Sequence, residues 1–356
     1  MATVVREEKI RKKSTSKRIA NFITYTLLIS GSFLILIPFY WMVSSSLKEA
    51  SQIFKSPPEW LPTQQVKMKI DGKEYGVFTM SQGEDVLKVA GVIPMDPASE
   101  TTAVRVMEGE TIGAKELTVT KTALTEVRKV SPVWDNYPEA LKFMNFLGCL
   151  KNTCIITFVC MVGQILSASI VAFGFARMRF PGRDILFIVL LSTIMLPPQV
   201  TLIPIFKIFT SIGWYDTFYP LTVPAFFGGG VFFIFLLRQY YMTIPIEMDE
   251  AAKIDGAGTF GTFTKVILPQ AKPALATVAI FSFMAHWNDF LGPLIYLSDP
   301  TKRTLALALW SFQGEHATDW HLLMAAATVV MLPLLTLFFC AQKYFIQGVV
   351  ISGVKG

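Results

Sequence analysis

Ile244-Pro-Ile-Glu-Met-Asp-Glu-Ala-Ala-Lys-Ile-Asp-Gly-Ala-Gly258, running on to Val266-Ile-Leu-Pro269, is a polar island between two long apolar runs. A chain that buries apolar runs in a bilayer keeps such a segment only where water or another protein meets it. Pro245 suits a first helical turn, where its missing N–H is no loss, and Glu247, Asp249 and Glu250 place negative charge beside the positive helix end. The spacing predicts a short helix ending near Asp255-Gly256, with the small pair Ala251-Ala252 leaving a face that another surface can approach closely. A second short helix is predicted after Thr259, with Phe260, Phe263 and Ile267 at helical spacing and Pro269 closing it. Aromatic side chains there would pin the loop to its own transmembrane helices.

Composition places the island in a membrane protein. Hydrophobic residues make up 52% of the 356 and charged residues 16%, with a mean hydropathy of +0.48, more apolar than a soluble globular chain. The net charge of +6 and isoelectric point near 9.0 do not point to nucleic acid. The basic residues cluster beside apolar runs rather than forming one stripe, which suits anionic lipid headgroups.

Six segments are long enough and charge-poor enough to cross a bilayer as helices, at roughly 20 residues per crossing: 19–43, 152–176, 185–206, 217–237, 273–297 and 322–342. Five carry no Lys, Arg, Asp or Glu, and the fifth in order holds one, Asp289. The apolar run of the first is too long for a secretory signal and no small-residue cleavage pattern closes it, so it is expected to stay as an anchor. Basic residues set the direction. Arg6, Lys9, Arg11, Lys12, Lys13, Lys17 and Arg18 precede the first segment, and Arg177, Arg179 and Arg183 fill the turn after the second, so both belong in the cytoplasm. Six crossings then put the island and both termini inside, and the stretch 48–142 outside.

That outer stretch is Pro- and aromatic-rich at 48–62, whereas 64–131 alternates polar with apolar residues. Val66-Lys-Met-Lys-Ile70 has period two and is followed by Asp71-Gly72, a hairpin dipeptide; Leu117-Thr-Val-Thr120 has the same period. With Val104 and Val106 they predict a small β unit, of a size at which one core is marginal without help. The fold class expected is therefore an all-α polytopic membrane protein with six transmembrane helices and a small β-rich extracytoplasmic insertion between helices 1 and 2. Its parts are a basic cytoplasmic N-terminus (1–18), helix 1 (19–46), an extracytoplasmic segment (47–142) containing the insertion 64–131, helices 2–6 (143–346) with a cytoplasmic loop at 239–271, and a cytoplasmic tail (347–356).

Several chemistries have little support. Cys149, Cys154, Cys160 and Cys340 lie in or beside apolar helices with no C-x-x-C spacing, and His286, His316 and His321 read as polar or interfacial imidazoles. No metal and no cofactor are expected. Gly256-Ala-Gly-Thr-Phe-Gly261 fits G-x-G-x-x-G literally, but no apolar strand precedes it, so it is not a dinucleotide fingerprint. No G-x-x-x-x-G-K-[ST] occurs, so any ATP is expected to be hydrolysed by another subunit.

The residues resemble the integral-membrane permeases of binding-protein-dependent ABC importers, and within them the carbohydrate branch. That family carries a cytoplasmic E-A-A…G…I-x-L-P loop, matched by Glu250-Ala251-Ala252, Gly256 and Leu268-Pro269, with Ile267 at the variable position and Val266 where the family has Ile. Phe235-Leu-Leu-Arg-Gln-Tyr-Tyr241, Trp287-Asn-Asp-Phe-Leu-Gly-Pro-Leu294, Trp41-Met-Val-Ser-Ser-Ser-Leu-Lys48 and Ser352-Gly-Val-Lys-Gly356 are similar to it too. The resemblance spans nearly the whole chain except 64–131, which separates Pro57-Pro-Glu-Trp-Leu-Pro62 from Val133-Trp-Asp-Asn-Tyr137, pieces almost adjacent in typical members.

What the resemblance implies is an assembly of two permeases, a cytoplasmic ABC ATPase dimer and an extracytoplasmic solute-binding protein, in the membrane of a prokaryote. The island would dock into the ATPase as a coupling helix, with Glu250 pairing with a basic group, Ala251 and Ala252 permitting close packing, and Asp255-Gly256 turning the chain away. The solute it implies is a carbohydrate, with a glycerol phosphate or polyol as the alternative. Gln199, beside Pro197-Pro198, and Asn288 with Asp289 interrupt apolar segments, and either line a solute path or serve helix packing. An ion-coupled secondary transporter would need buried ionisable relays, of which Asp289 alone is present, and an embedded enzyme would need convergent catalytic side chains, which are not evident.

Overall fold

The structure, a computed structural model, describes residues 2–70, 73–82, 85–92, 101–108, 111–228, 230–314 and 318–353. It divides into two compact units, Met1–Glu139 with Asp319–Thr328, and Ala140–Thr318 with Val329–Gly356. Among the described residues, four helices are long and apolar enough to cross a membrane: Lys17–Ser46, Phe146–Arg177, Tyr219–Thr243 and Trp320–Gln342. Two bent pairs, Arg183–Met195 with Pro198–Ser211 and Thr259–Gln270 with Lys272–Trp287, would bring the number to six if each is one span.

The first unit opens with the helix Ala2–Ser46, whose apolar window has no buried residue. Just past it the chain buries a polar knot. Lys48 is fully buried, with its Nζ donating to the Glu59 carbonyl at 2.7 Å and lying 3.9 Å from the centroid of the Trp41 ring. Burial holds its pKa below the usual lysine value, against the raising effect of Glu59. The Glu59 carboxylate accepts from Gln52 at 2.6 Å and Thr63 at 2.8 Å, and Asn136 donates to the carbonyls of Ser46 and Lys48. At the start of the stretch 48–142, the aromatic face of Trp41 and the Glu59 carbonyl take the place of water around the Lys48 ammonium.

Beyond the knot, Thr63–Gln65 pairs antiparallel with Arg128–Val130, and Ser131 N–H donates to the Pro62 carbonyl at 3.0 Å. The chain between these ends forms a six-stranded antiparallel sheet, in the order Lys67–Ile70, Lys73–Gln82, Asp85–Val92, Thr101–Glu108, Thr111–Thr120, with Leu124–Glu126 pairing on Lys73–Gln82. Period two puts Phe78 and Met80 on one face with Val89 and Val104, and Leu117 and Val119 pack against them. The Asp71-Gly72 turn lies outside the described residues; Ile70 and Lys73 on either side of it are paired.

The second unit is built on Phe146–Arg177. Its buried positions include Gly163, Ala168, Ser169 and Ala172, small residues that let neighbouring backbones approach. Val231–Thr243 and Lys272–Trp287 pack on it, and Phe173, Phe233, Ile234, Leu237, Tyr241 and Ile267 fill the core. A Cβ at Gly163 would come within 2.8 Å of the Phe226 ring.

Three expected helices are interrupted. The segment 185–206 bends by 97° at Leu196-Pro197, because a residue before proline is pushed out of helical conformation and both take extended backbone. The segment 273–297 is helical only to Trp287, and Leu291–Tyr296 starts anew after Asp289. Within Tyr219–Thr243, Gly228 and Gly230 have positive φ between a 3-10 turn and the helix Val231–Thr243. The helix Trp320–Gly353 runs into the stretch 347–356 expected as a tail, of which 354–356 lie outside the described residues.

Two loops of this unit are tied by charge. Asp216, itself at φ 56°, accepts from the amides of Ser298 and Asp299 at 2.9 and 3.0 Å. Lys302 Nζ donates to its carboxylate at 2.9 Å and to its carbonyl at 2.6 Å. The Asp299 amide, the Lys302 ammonium and the Ser298 amide together hold the Asp216 carboxyl down to about 2.

Candidate functional site

The island forms the helix Glu247–Ile254, eight residues with Glu247, Asp249 and Glu250 in the first turn and Lys253 in the last. Pro245 sits ahead of the Ile246 cap rather than in the first turn, and its carbonyl takes the Met248 amide. The end is a full Schellman closure: the Gly256 amide donates to the Lys253 carbonyl at 3.0 Å and the Ala257 amide to the Ala252 carbonyl at 2.8 Å. Gly256 has φ 82°, a conformation that costs an L-residue roughly 1–2 kcal/mol.

One face of this helix is buried and the other is open. Asp249 and Ala252, three residues apart, point inward; Glu250, Ala251, Lys253 and Asp255 are exposed, and Ile254 is 86% exposed. The Ala251-Ala252 pair therefore splits, because adjacent helical residues are about 100° apart and only one can lie on the outer face.

The following stretch carries the anchor. Thr259–Thr262 leads into a π turn, Phe263–Ile267, then Leu268–Gln270. Phe263 and Ile267 are buried, with the Phe263 ring 4.9 Å from Phe173 on the long helix, whereas Phe260 is exposed and does not pin the loop. Pro269 lies one residue before the end of the helix at Gln270, and the chain bends by 78° before Lys272–Trp287 begins. Tyr240 Oη donates to the Gln270 carbonyl at 3.2 Å, tying the loop to Val231–Thr243.

Arg177, the last residue of Phe146–Arg177, organises the site. Its Nη2 donates to the carbonyls of Tyr241 at 2.7 Å and Ile244 at 2.6 Å, and its Nε lies 3.6 Å from Asp249 Oδ2. Both side chains are 7% exposed. Sequence reasoning used Arg177 as a marker of membrane orientation and Asp249 as a charge at a helix start. Their positions 72 residues apart carry no local signal of pairing.

The other three candidates sit at the helix breaks. Gln199 is exposed in the first turn of Pro198–Ser211. Asn288 is exposed and its Nδ2 donates to the Met284 carbonyl at 2.8 Å, while Asp289 Oδ1 accepts from the Gly292 amide at 3.1 Å. Asn288 and Asp289 thus serve the ends of their own helices, and no hydrogen bond joins either to Gln199 among the described residues.

Residues 164–351, more than half of the chain, match the family of binding-protein-dependent transport system inner membrane components, and the chain belongs to it. The probable ABC transporter permease YurM of Bacillus subtilis is 35% identical over 60% of this chain and 69% of its own length. The melibiose/raffinose/stachyose import permease MelC of the same species is 34% identical over 62% and 80%. The sn-glycerol-3-phosphate permease UgpE of Pectobacterium atrosepticum is 33% identical over 57% and 72%. In fold, the chain is similar to a chain of a bacterial ABC transporter that imports alginate, with a TM-score of 0.63 and 19% identity over 93% of this chain and 98% of the other. The protein is an ABC importer permease similar to sugar permeases, with helices fit to cross a membrane.

Proposed function

We propose that this permease carries a carbohydrate, a sugar or oligosaccharide, across the cytoplasmic membrane of a prokaryote, driven by ATP hydrolysis in a separate subunit. The observation that carries the reading is the Glu247–Ile254 helix, tied to the long helices on one face and presenting Glu250, Ala251, Ile254 and Asp255 on the other. In this reading 239–271 is the coupling loop. The outer face seats in a cleft of an ATPase dimer, Glu250 meets a basic group there, Ala251 gives close approach, and Ala252 and Gly256 hold the helix and turn the chain away.

Counting each bent pair as one crossing gives six helices, with 1–18, the coupling loop and the tail 347–356 in the cytoplasm, and 47–142 outside. The paired ends at Thr63–Gln65 and Arg128–Val130 are what an insertion at 64–131 requires, since a folded excursion is tolerated where its ends already meet. A second permease, an extracytoplasmic solute-binding protein and membrane lipid complete the assembly. Gln199, Asn288 and Asp289 flank its solute path. The chain holds no nucleotide site of its own.

A glycerol phosphate is the second reading, favoured by the likeness to UgpE. Binding of raffinose and of sn-glycerol 3-phosphate to the cognate solute receptor decides between the two. For the coupling loop, Glu250→Lys and Gly256→Asp should insert normally yet uncouple uptake from ATP hydrolysis; wild-type sugar uptake by both variants refutes the docking role.

A further inference from the structure

We propose that Arg177 and Asp249 position the coupling helix: the pair fixes the angle at which Glu247–Ile254 leaves the membrane domain, and so carries its displacement into two long helices at once. This rests on the coupling reading above and goes beyond it by naming the internal joint. The guanidinium closes Phe146–Arg177, takes two carbonyls at the end of Val231–Thr243, and faces Asp249 in the first turn of the coupling helix. It is the one ion pair through which that helix meets the rest of the chain among the described residues.

The contact is also half-made. At 3.6 Å the Nε and Oδ2 attract as charges, but Arg177 Nε and Asp249 Oδ1 are buried with no hydrogen-bond partner. A shift of the coupling helix by a few tenths of an ångström toward Arg177 converts the attraction into a charge-assisted hydrogen bond. At 7% exposure the two charges are little screened, so movement of the helix changes their attraction and is felt at the two carbonyls that Arg177 also holds. Lysine cannot substitute, since a single ammonium lacks the planar fork that serves both carbonyls and the carboxylate.

The test uses the complete importer in proteoliposomes, with ATP hydrolysed per solute transported measured per assembled complex. Asp249→Asn and Arg177→Lys should raise that ratio roughly tenfold, while Asp249→Glu, which keeps the charge and reaches further, should stay within roughly twofold. A brace with no role in coupling would lower the amount of assembled complex and leave the ratio unchanged, and that result overturns the proposal. If Arg177→Lys does not assemble, the Asp249→Asn and Asp249→Glu pair decides alone. Glu250→Lys serves as the separate arm: uncoupling by Glu250→Lys with normal coupling in the Asp249 and Arg177 variants sinks this inference alone, whereas normal coupling in every variant sinks the coupling reading as well.

Discussion

Lys302 reaches across 86 residues to hold both the carboxylate and the backbone carbonyl of Asp216, at 2.9 and 2.6 Å. The two loops it joins flank different helices of the same unit, so their packing depends on a charge that acid can remove. Asp216 titrates near 2 in the folded chain, below the ordinary aspartate value of about 3.9. A depressed folded value means that the contribution is complete above the unfolded pKa and is lost as pH falls through the folded one. Asp216→Asn should therefore melt below the wild type at neutral pH, with the gap narrowing below about pH 4 and closing near 2. Thermal unfolding of the detergent-solubilised protein across that range checks this; a gap independent of pH refutes it.

Gly163 meets the ring of Phe226 with no room for a methyl group, at 2.8 Å from an ideal Cβ. Gly163→Ala should cost about 1–3 kcal/mol, the usual penalty of overpacking. Gly174, on the same helix, has nothing within 4 Å of its Cβ position, so Gly174→Ala should be neutral or slightly stabilising. Melting temperatures of the two variants, compared side by side, decide.

Gly256 has open space around its Cβ position but a left-handed backbone. Gly256→Ala should cost about 1 kcal/mol through strain alone, and Gly256→Asn less, because asparagine tolerates that conformation. A Gly256→Ala variant as stable as the wild type would remove the Schellman closure as the reason for glycine there.

Tyr241 is fully buried and its hydroxyl has no hydrogen-bond partner. Removing an unsatisfied buried hydroxyl relieves its desolvation, so Tyr241→Phe should leave stability unchanged or raise it by about 1 kcal/mol. A loss of more than that in a thermal melt would mean that the hydroxyl bonds to water in the core.

Asn288 and Gln199 separate packing from transport. The Asn288 amide donates to the Met284 carbonyl at the end of its own helix, so Asn288→Ala should cost about 1 kcal/mol in stability. Gln199 has no such bond among the described residues, and Gln199→Ala should leave stability unchanged while lowering uptake if it lines the solute path. Uptake at saturating and limiting sugar, set beside a thermal melt, distinguishes the two roles.

Much of the architecture was legible in the chain because its signals are local. Apolar runs without charge, the E-A-A…G spacing and the period-two stretches each depend on neighbours within a few residues, and each corresponds to a helix or strand at that place. The interruptions are legible in kind but not in extent: Pro197-Pro198 marks a break in an apolar segment, and the size of the bend there, 97°, is set by packing. Pro269 marks a helix end, and the chain bends by 78° just after it.

The sequence by itself determined the family, the apolar segments and the Glu247–Ile254 helix, since backbone satisfaction in a bilayer and helix-end chemistry act along the chain. Tertiary structure alone decided which side of that helix faces out, where Lys48 finds its partners, and that Arg177 meets Asp249. Arg177 and Asp249 are far apart in sequence, and the partners of Lys48 lie outside any helical or strand repeat, so burial that becomes tolerable when one group replaces the water another has lost is encoded by no periodicity.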